Sequence, residues 1–352
     1  MHFSSRRLGG PALSQFALVA LGLAALAPTA RAQTQDLFVS NQNNNTISRF
    51  AGTGLGTFST IATTLSDPNG TLNAPRGLVF DTRGDLFAAN SGGNSITEFA
   101  AGNTSGTLGA GTVALTGGGL NLPRGLVFDT RGDLFAANVA GNSITEFAFN
   151  PASGTFGAGT VALTGGGLSG PIGLVFDAKG DLFAANAGNN SITEFASTGA
   201  GTFGAGTVAL TGGGLNAPFG LAFDAFGDLF AANSGNSTIT KLAAGATTGT
   251  FGATSTLSGG GLSGPEGLAF DAKGDLFAAN VTGNSITEFA FNPASGTFGA
   301  GAVVETGLSG PSFLAFGPVP AVPEASTTVS LGLLLALGLG GTVMAARKKR
   351  KA

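Results

Sequence analysis

The sequence contains no cysteine, no tryptophan and no tyrosine, and its one histidine is His2. Each absence excludes some chemistry. Without cysteine there is no disulfide, no thiol nucleophile and no thiolate metal site. With histidine confined to residue 2, the rest of the chain lacks the usual general base and the commonest zinc ligand. Phenylalanine, with 29 copies, supplies every aromatic ring, and charged residues make up only 10% of the chain. No P-loop, Rossmann fingerprint or G-x-S-x-G elbow is present. Glycine is what the chain has in excess, 61 of 352 residues, and it follows no three-residue period, which excludes collagen. So much glycine with so little charge points to tight turns and short strands rather than long helices.

Both ends read as targeting segments. Residues 1–32 form the three-part pattern of a secretory signal peptide: basic Arg6 and Arg7, apolar Phe16–Ala27, and the cleavage site Ala30-Arg31-Ala32. Residues 318–352 hold a linker, an uncharged run from Thr327 to Ala346 long enough to span a bilayer, and a basic tail, Arg347–Lys351. Val322-Pro323-Glu324-Ala325-Ser326, the Leu/Gly-rich run and the basic cluster together resemble a PEP-CTERM sorting signal, with Ala325 where that family usually has proline. The resemblance implies recognition by an exosortase-type membrane protease, loss of the tail and delivery to the cell surface or extracellular polymer. Membrane contact is then expected only through the C-terminal sorting helix. Eight of the 16 basic residues and one of the 19 acidic ones lie in these ends, so the exported part has 8 basic and 18 acidic residues, a net charge of −10. That sign argues against nucleic acid or anionic lipid as a partner.

Between the ends one phrase repeats. GDLFAAN occurs at Gly84–Asn90, Gly132–Asn138, Gly180–Asn186, Gly227–Asn233 and Gly274–Asn280, with a looser QDLFVSN at Gln35–Asn41. The closing asparagines are 49, 48, 48, 47 and 47 residues apart, a period that signals a solenoid or a propeller. Each unit divides into four short apolar runs, as in Gly77–Asp81, Asp85–Asn90, Ser95–Phe99 and Thr112–Thr116, and four strands per unit make a propeller blade. The first DLFVSN has no P-x-G-L-x-F run before it, and the last such run, PSFLAF from Pro311, has nothing after it. Ser312–Phe316 is therefore expected to complete the blade begun by Asp36. The prediction for residues 33–317 is an all-β, six-bladed β-propeller whose last blade is closed by N- and C-terminal strands together.

The unit also resembles the NHL repeat, through Pro75, Gly77, Asp81, Gly84, Leu86, Phe87, Ala89, Asn90, Asn94, Ile96 and Phe99. The resemblance covers nearly all of residues 36–316 and implies the propeller fold. It leaves function open, because NHL-like propellers include protein binders, RNA binders and lyases. The lyases of that family typically rely on histidines, which the exported part lacks.

Leu86, Phe87 and Phe99 are expected to fill the core between blades, and Ala88 and Ala89 to let blades approach closely. Asp81 and Asp85 flank a turn whose amides they can bind, and Asn90 before Gly92-Gly93 suits the next hairpin. Turn capping is preferred here to a calcium site, since no EF-hand loop is present. No cofactor and no metal ligand are therefore assigned. The Asp pairs recur in every full unit, whereas a catalytic pair should break the repeat. The residue after each unit's proline does break it: Arg76, Arg124, Ile172, Phe219, Glu266 and Ser312. These six are the candidate binding residues, a shallow rim at the tunnel mouth for an anionic sugar or a peptide, with drift at an exposed loop position as the plainer account of the same variation. The function expected is an exported, non-enzymatic propeller that binds or builds extracellular matrix, with exopolysaccharide or surface proteins as partners. The alternatives are a carboxylate-dependent lyase or hydrolase of extracellular polymer, and a ligand-sensing module.

Overall fold

The computed structural model describes residues 35–318 apart from 55–56, 60–61, 66, 103–106, 200 and 246–249. The expected signal peptide, the expected sorting motif Val322–Ser326 and the apolar run Thr327–Ala346 lie outside the described residues. Among those described, no helix is long and apolar enough to cross a membrane.

Within each unit, runs of five or six residues with β-branched and aromatic side chains are separated by turns that need positive φ. Gly84 (φ 89°) and Asn94 (φ 47°) serve the turns of the first full unit. The runs therefore form antiparallel strands. In blade 2 these are Pro75–Phe80, Leu86–Asn90, Ser95–Phe99 and Thr112–Thr116, from the channel outwards. Among the described residues there are six such four-stranded sheets and no helix. Blade 1 is assembled from both ends of the propeller: Pro311–Phe316 pairs with Leu37–Asn41, matching Leu37 to Phe316 and Asn41 to Pro311. The ring is therefore closed as the permuted repeat requires, and no inner or second strand is left as an open edge.

The core lies between blades. Leu86–Asn90 is buried along its whole length, because both faces of the sheet are covered by neighbouring blades. One phenylalanine contact repeats at every interface. Phe38–Phe80, Phe87–Phe128, Phe135–Phe176, Phe183–Phe223 and Phe230–Phe270 meet edge to face with centroids 5.1–5.5 Å apart. Phe277–Phe316, at 5.2 Å and 73°, makes the same contact between blade 6 and the strand that completes blade 1. Each ring buried this way contributes about 1.5–3 kcal/mol.

The glycine of P-x-G brings the inner strands together. A Cβ at Gly77 would collide with the Arg124 carbonyl, one at Gly125 with the Ile172 carbonyl and one at Gly173 with the Phe219 carbonyl. Only glycine permits that approach, and it fixes how narrow the channel is.

Two expectations at single residues are corrected or refined. Asn90 serves the following hairpin through its backbone, its carbonyl accepting from Gly93 N at 3.2 Å, while its side chain is fully buried in the strand. Its Nδ2 donates to Ser95 Oγ (3.1 Å) and Thr97 Oγ1 (2.8 Å), and its Oδ1 accepts from Asn73 N (3.1 Å). It clamps the strand pair to the loop that enters the blade. The turn itself is made by Asn94, and Asn94 Oδ1 accepts from Leu122 N of the next unit at 2.7 Å. The Asp residues do cap turns: Asp81 Oδ1 accepts from Arg83 N and Asp85 N, both at 2.9 Å.

Candidate binding site at the channel mouth

The four-stranded meander places the start of every inner strand on one face of the ring and its end on the other. The six residues that follow the inner-strand prolines therefore meet around one end of the channel. The ring order is Ser312, Arg76, Arg124, Ile172, Phe219 and Glu266.

Their side chains fall into two groups of three. Arg76 of blade 2 reaches past blade 1 to Glu266 of blade 6, Nη1 to Oε2 at 3.1 Å. Ser312, on the blade between, donates from Oγ to the same Oε2 at 2.5 Å. Ser40 Oγ donates to the Arg76 carbonyl at 2.6 Å and accepts from Phe313 N at 3.0 Å, which locks the backbone on both sides of this group. Across the channel Arg124 of blade 3 lies over the Phe219 ring of blade 5, its Cζ 5.5 Å from the centroid. Ile172, on the blade between, is buried.

The positions expected to form a shallow rim are interlocked. Ile172, Glu266 and Ser312 are buried, and Arg76, Arg124 and Phe219 are half-buried. The cause is the close approach at the P-x-G glycines, which turns these side chains towards a narrow channel.

The two arginines differ in charge balance. The Arg76 guanidinium is matched by Glu266. Arg124 has no hydrogen-bonded or ionic partner among the described residues, and its Nε is buried with no acceptor. Burial pushes its pKa down, the like charge of Arg76 adds to this, and Glu266 opposes it. A guanidinium remains protonated under such conditions, so the mouth holds an uncompensated positive charge on an aromatic face. Its free donors form a planar fork suited to a carboxylate or phosphate.

The acidic pairs on the opposite face are engaged. Arg83 Nε lies 2.7 Å from Asp81 Oδ2, and its Nη2 lies 3.0 Å from Asp85 Oδ2. Asp85 Oδ1 also accepts from Ala101 N at 2.7 Å. Among the described residues no group of three or more His, Cys, Asp or Glu side chains is placed to hold a metal ion.

Three residues relevant to sites were not singled out from the sequence. Ser40 stands where other blades have alanine. Phe226 and Lys241 each break a repeated column, Phe226 in the turn of blade 5 and Lys241 in its third strand. Comparing every column of the repeat, rather than the one after proline, finds all three.

A scan of protein-family models matches none to this chain, and a search of curated proteins returns no match. Solved structures do match. A chain of a nidogen/laminin complex aligns at 18% identity with a TM-score of 0.61, covering 81% of this chain and 99% of that one. A periplasmic gluconolactonase of Pseudomonas aeruginosa aligns at 18% identity with a TM-score of 0.57, again over 81% and 99%. A Bacteroides fragilis protein provisionally described as a 6-phosphogluconolactonase aligns at 17% with a TM-score of 0.56, over 83% and 100%. The likeness is one of fold.

The expectation of a non-enzymatic chain is corrected by these matches. The propellers that share the architecture are mostly described as enzymes, lactonases prominent among them. Missing histidine and cysteine restrict the chemistry of this chain, but they do not place it outside catalysis.

Proposed function

We propose that this chain is an exported propeller that binds an anionic sugar, a uronate unit of extracellular polymer, at one mouth of its channel. The observation that carries the reading is Arg124, a half-buried guanidinium with no anionic partner, facing Arg76 and backed by Phe219. A carboxylate between the two guanidiniums would supply the missing charge, and the Phe219 ring would meet the sugar's C–H face. Export by residues 1–32 and sorting by an exosortase-type protease through Val322–Ser326 would bring the propeller to such polymer. The last described residue, Pro318, packs beside Gly84 on the opposite face.

The test is calorimetric titration of the exported protein with oligouronate and with the corresponding neutral oligosaccharide, for wild type and Arg124→Met. Saturable uronate binding that Arg124→Met removes supports the reading. Equal binding of both sugars refutes it.

A second reading is a carboxylate-dependent hydrolase or lyase using the same mouth. It is favoured by Glu266, a buried carboxylate in contact with both a hydroxyl and a guanidinium at the point where a bound sugar would lie. Turnover of the polymer that is lost in Glu266→Gln while uronate binding persists would establish it.

A further inference from the structure

The face opposite this mouth carries a turn repeated in five blades: Asp-Thr-Arg-Gly-Asp in blades 2 and 3, Asp-Ala-Lys-Gly-Asp in blades 4 and 6, and Asp-Ala-Phe-Gly-Asp in blade 5. In four of the five a cation balances the two carboxylates. Blade 5 has Phe226 there. Its cation has moved to the third strand, where Lys241 replaces the glutamate found at Glu98, Glu146, Glu194 and Glu288. Lys241 Nζ lies 2.6 Å from Asp228 Oδ2, so the charge is restored from a different position. The two departures compensate each other electrostatically. Their joint result is an aromatic ring freed from any duty in the turn.

Phe226 is 67% exposed, well above the other exposed large hydrophobic side chains among the described residues. It borders a cleft of about 290 Å³ between blades 5 and 6, and its ring lies 5.8 Å from Phe291 at 44°. Phe291 opens a hairpin, Phe291–Asn292 with Thr297–Phe298, whose sequence Ala290–Phe298 is also found as Ala148–Phe156 in blade 3. The cleft between blades 2 and 3 is thus an internal control of similar size, about 300 Å³. There Arg83 occupies the Phe226 position. Its guanidinium lies over Phe149 at 5.3 Å and donates to the Gly154 carbonyl at 3.1 Å. In that cleft a cation covers the platform, whereas in the blade 5–6 cleft a second aromatic ring extends it.

The polar lining restricts the occupant further. Asp224 and Asp271 border the cleft, and the Lys273 ammonium is taken by Asp275 at 2.6 Å. Asp271 Oδ2 is buried without a hydrogen-bond partner. The lining is therefore acidic, which repels uronates and phosphates, and the half-buried Asp224 carboxylate borders it as an acceptor. Two rings at an angle beside a carboxylate acceptor, in a space the size of one or two sugar units, match the C–H face and hydroxyl edge of a pyranose.

We propose that the cleft between blades 5 and 6 is a carbohydrate subsite that holds an uncharged pyranose of a polysaccharide against Phe226 and Phe291. It is distinct from the channel mouth in position, on the other face of the ring, and in charge preference. A protein with both sites would engage acidic and neutral polymer at once and cross-link them.

The test is affinity electrophoresis in native gels containing dextran, a soluble β-glucan or galactomannan, with alginate as the acidic comparison, for the full exported protein. Phe226→Lys gives blade 5 the Ala-Lys-Gly turn that blades 4 and 6 already fold with, so unchanged thermal unfolding is its control for integrity. Retardation by at least one neutral polymer, weakened about tenfold in Phe226→Lys and restored in Phe226→Trp, is expected. Alginate binding at the channel mouth should be the same in Phe226→Lys, which separates this subsite from the mouth. Three results would overturn the proposal: no retardation by any neutral polymer, retardation indifferent to Phe226→Lys, or a dimer that Phe226→Lys merely dissociates.

Discussion

Asn186 offers the sharpest test of how each blade is held. It is fully buried, and three hydrogen bonds converge on its amide. Its Oδ1 accepts from Ser169 N at 3.2 Å, and its Nδ2 donates to Ser191 Oγ (3.1 Å) and Thr193 Oγ1 (2.9 Å). Asn186→Ala removes all three, and at about 1 kcal/mol each the loss is about 3 kcal/mol. Asn186→Asp preserves shape and should nevertheless do more harm at neutral pH. The Ser191 hydroxyl already donates to Asn189 Oδ1 (2.7 Å) and that of Thr193 to the Gly166 carbonyl (3.0 Å). The new carboxylate oxygen would therefore face two oxygens with no proton to offer, as an uncompensated buried charge costing about 3–5 kcal/mol. Protonation of the aspartate restores one donor, so its folded-state pKa must lie above the unfolded value of about 3.9. The folded chain then binds the proton more tightly, and stability falls as pH rises through that window. Urea unfolding followed by far-UV circular dichroism, at pH 4 and pH 7, measures this; the lack of tryptophan and tyrosine rules out the usual fluorescence probe. An Asn186→Asp protein as stable as wild type at pH 7, or one with a larger deficit at pH 4 than at pH 7, would refute the reasoning.

Phe277→Ala, at the ring closure, should cost about 3–5 kcal/mol in urea unfolding, as much as Phe135→Ala inside a continuous stretch of chain; a clearly smaller cost at Phe277 would mean the ring opens readily. Gly173→Ala drives a Cβ into the Phe219 carbonyl of the next inner strand and should destabilise by about 1–3 kcal/mol or prevent expression. Burial pushes the carboxyls of Glu98, Glu146, Glu194 and Glu288 up, with neighbouring aspartates adding to the effect. These groups bind protons more tightly when folded, so calorimetry should show the melting temperature rising as pH is lowered from 7 towards about 4.5. Asp67 is held below its usual value by hydrogen bonds from Leu72 N, Thr71 N and the Thr71 hydroxyl, which outweigh its partial burial, so its contribution is lost below about pH 4.

The repeat made the fold legible, because period, strand count and the displaced PSFLAF run together require a closed ring. The packing was legible as well: Phe87 and Ala88 follow from a strand covered on both faces. Asn90 was not. Its neighbours Gly92 and Gly93 read as a hairpin, and nothing local shows that the amide is buried beneath the loop entering its own blade. The channel residues were legible as a broken column, yet their contacts were not. Arg76 meets Glu266 and Arg124 meets Phe219 across blades 190 and 95 positions apart in sequence. The ring brings those pairs together, and sequence spacing carries no trace of it. Phe226 and Lys241 show the same limit. Each looks like an isolated exception until the turn and the third strand are seen to share one pair of aspartates.

The central claim is that Arg124 holds an anion that the protein itself does not supply. The most direct measurement follows the arginine Nε–H resonances of the ¹⁵N-labelled propeller, residues 33–317, while galacturonate is added. Residues 33–317 contain five arginines, Arg49, Arg76, Arg83, Arg124 and Arg131, so each resonance can be assigned by substitution. The account predicts a saturable shift at Arg124, a smaller one at Arg76, and none at Arg83 or Arg131 on the opposite face. A titration that leaves Arg124 unmoved, or moves all five alike, would contradict it.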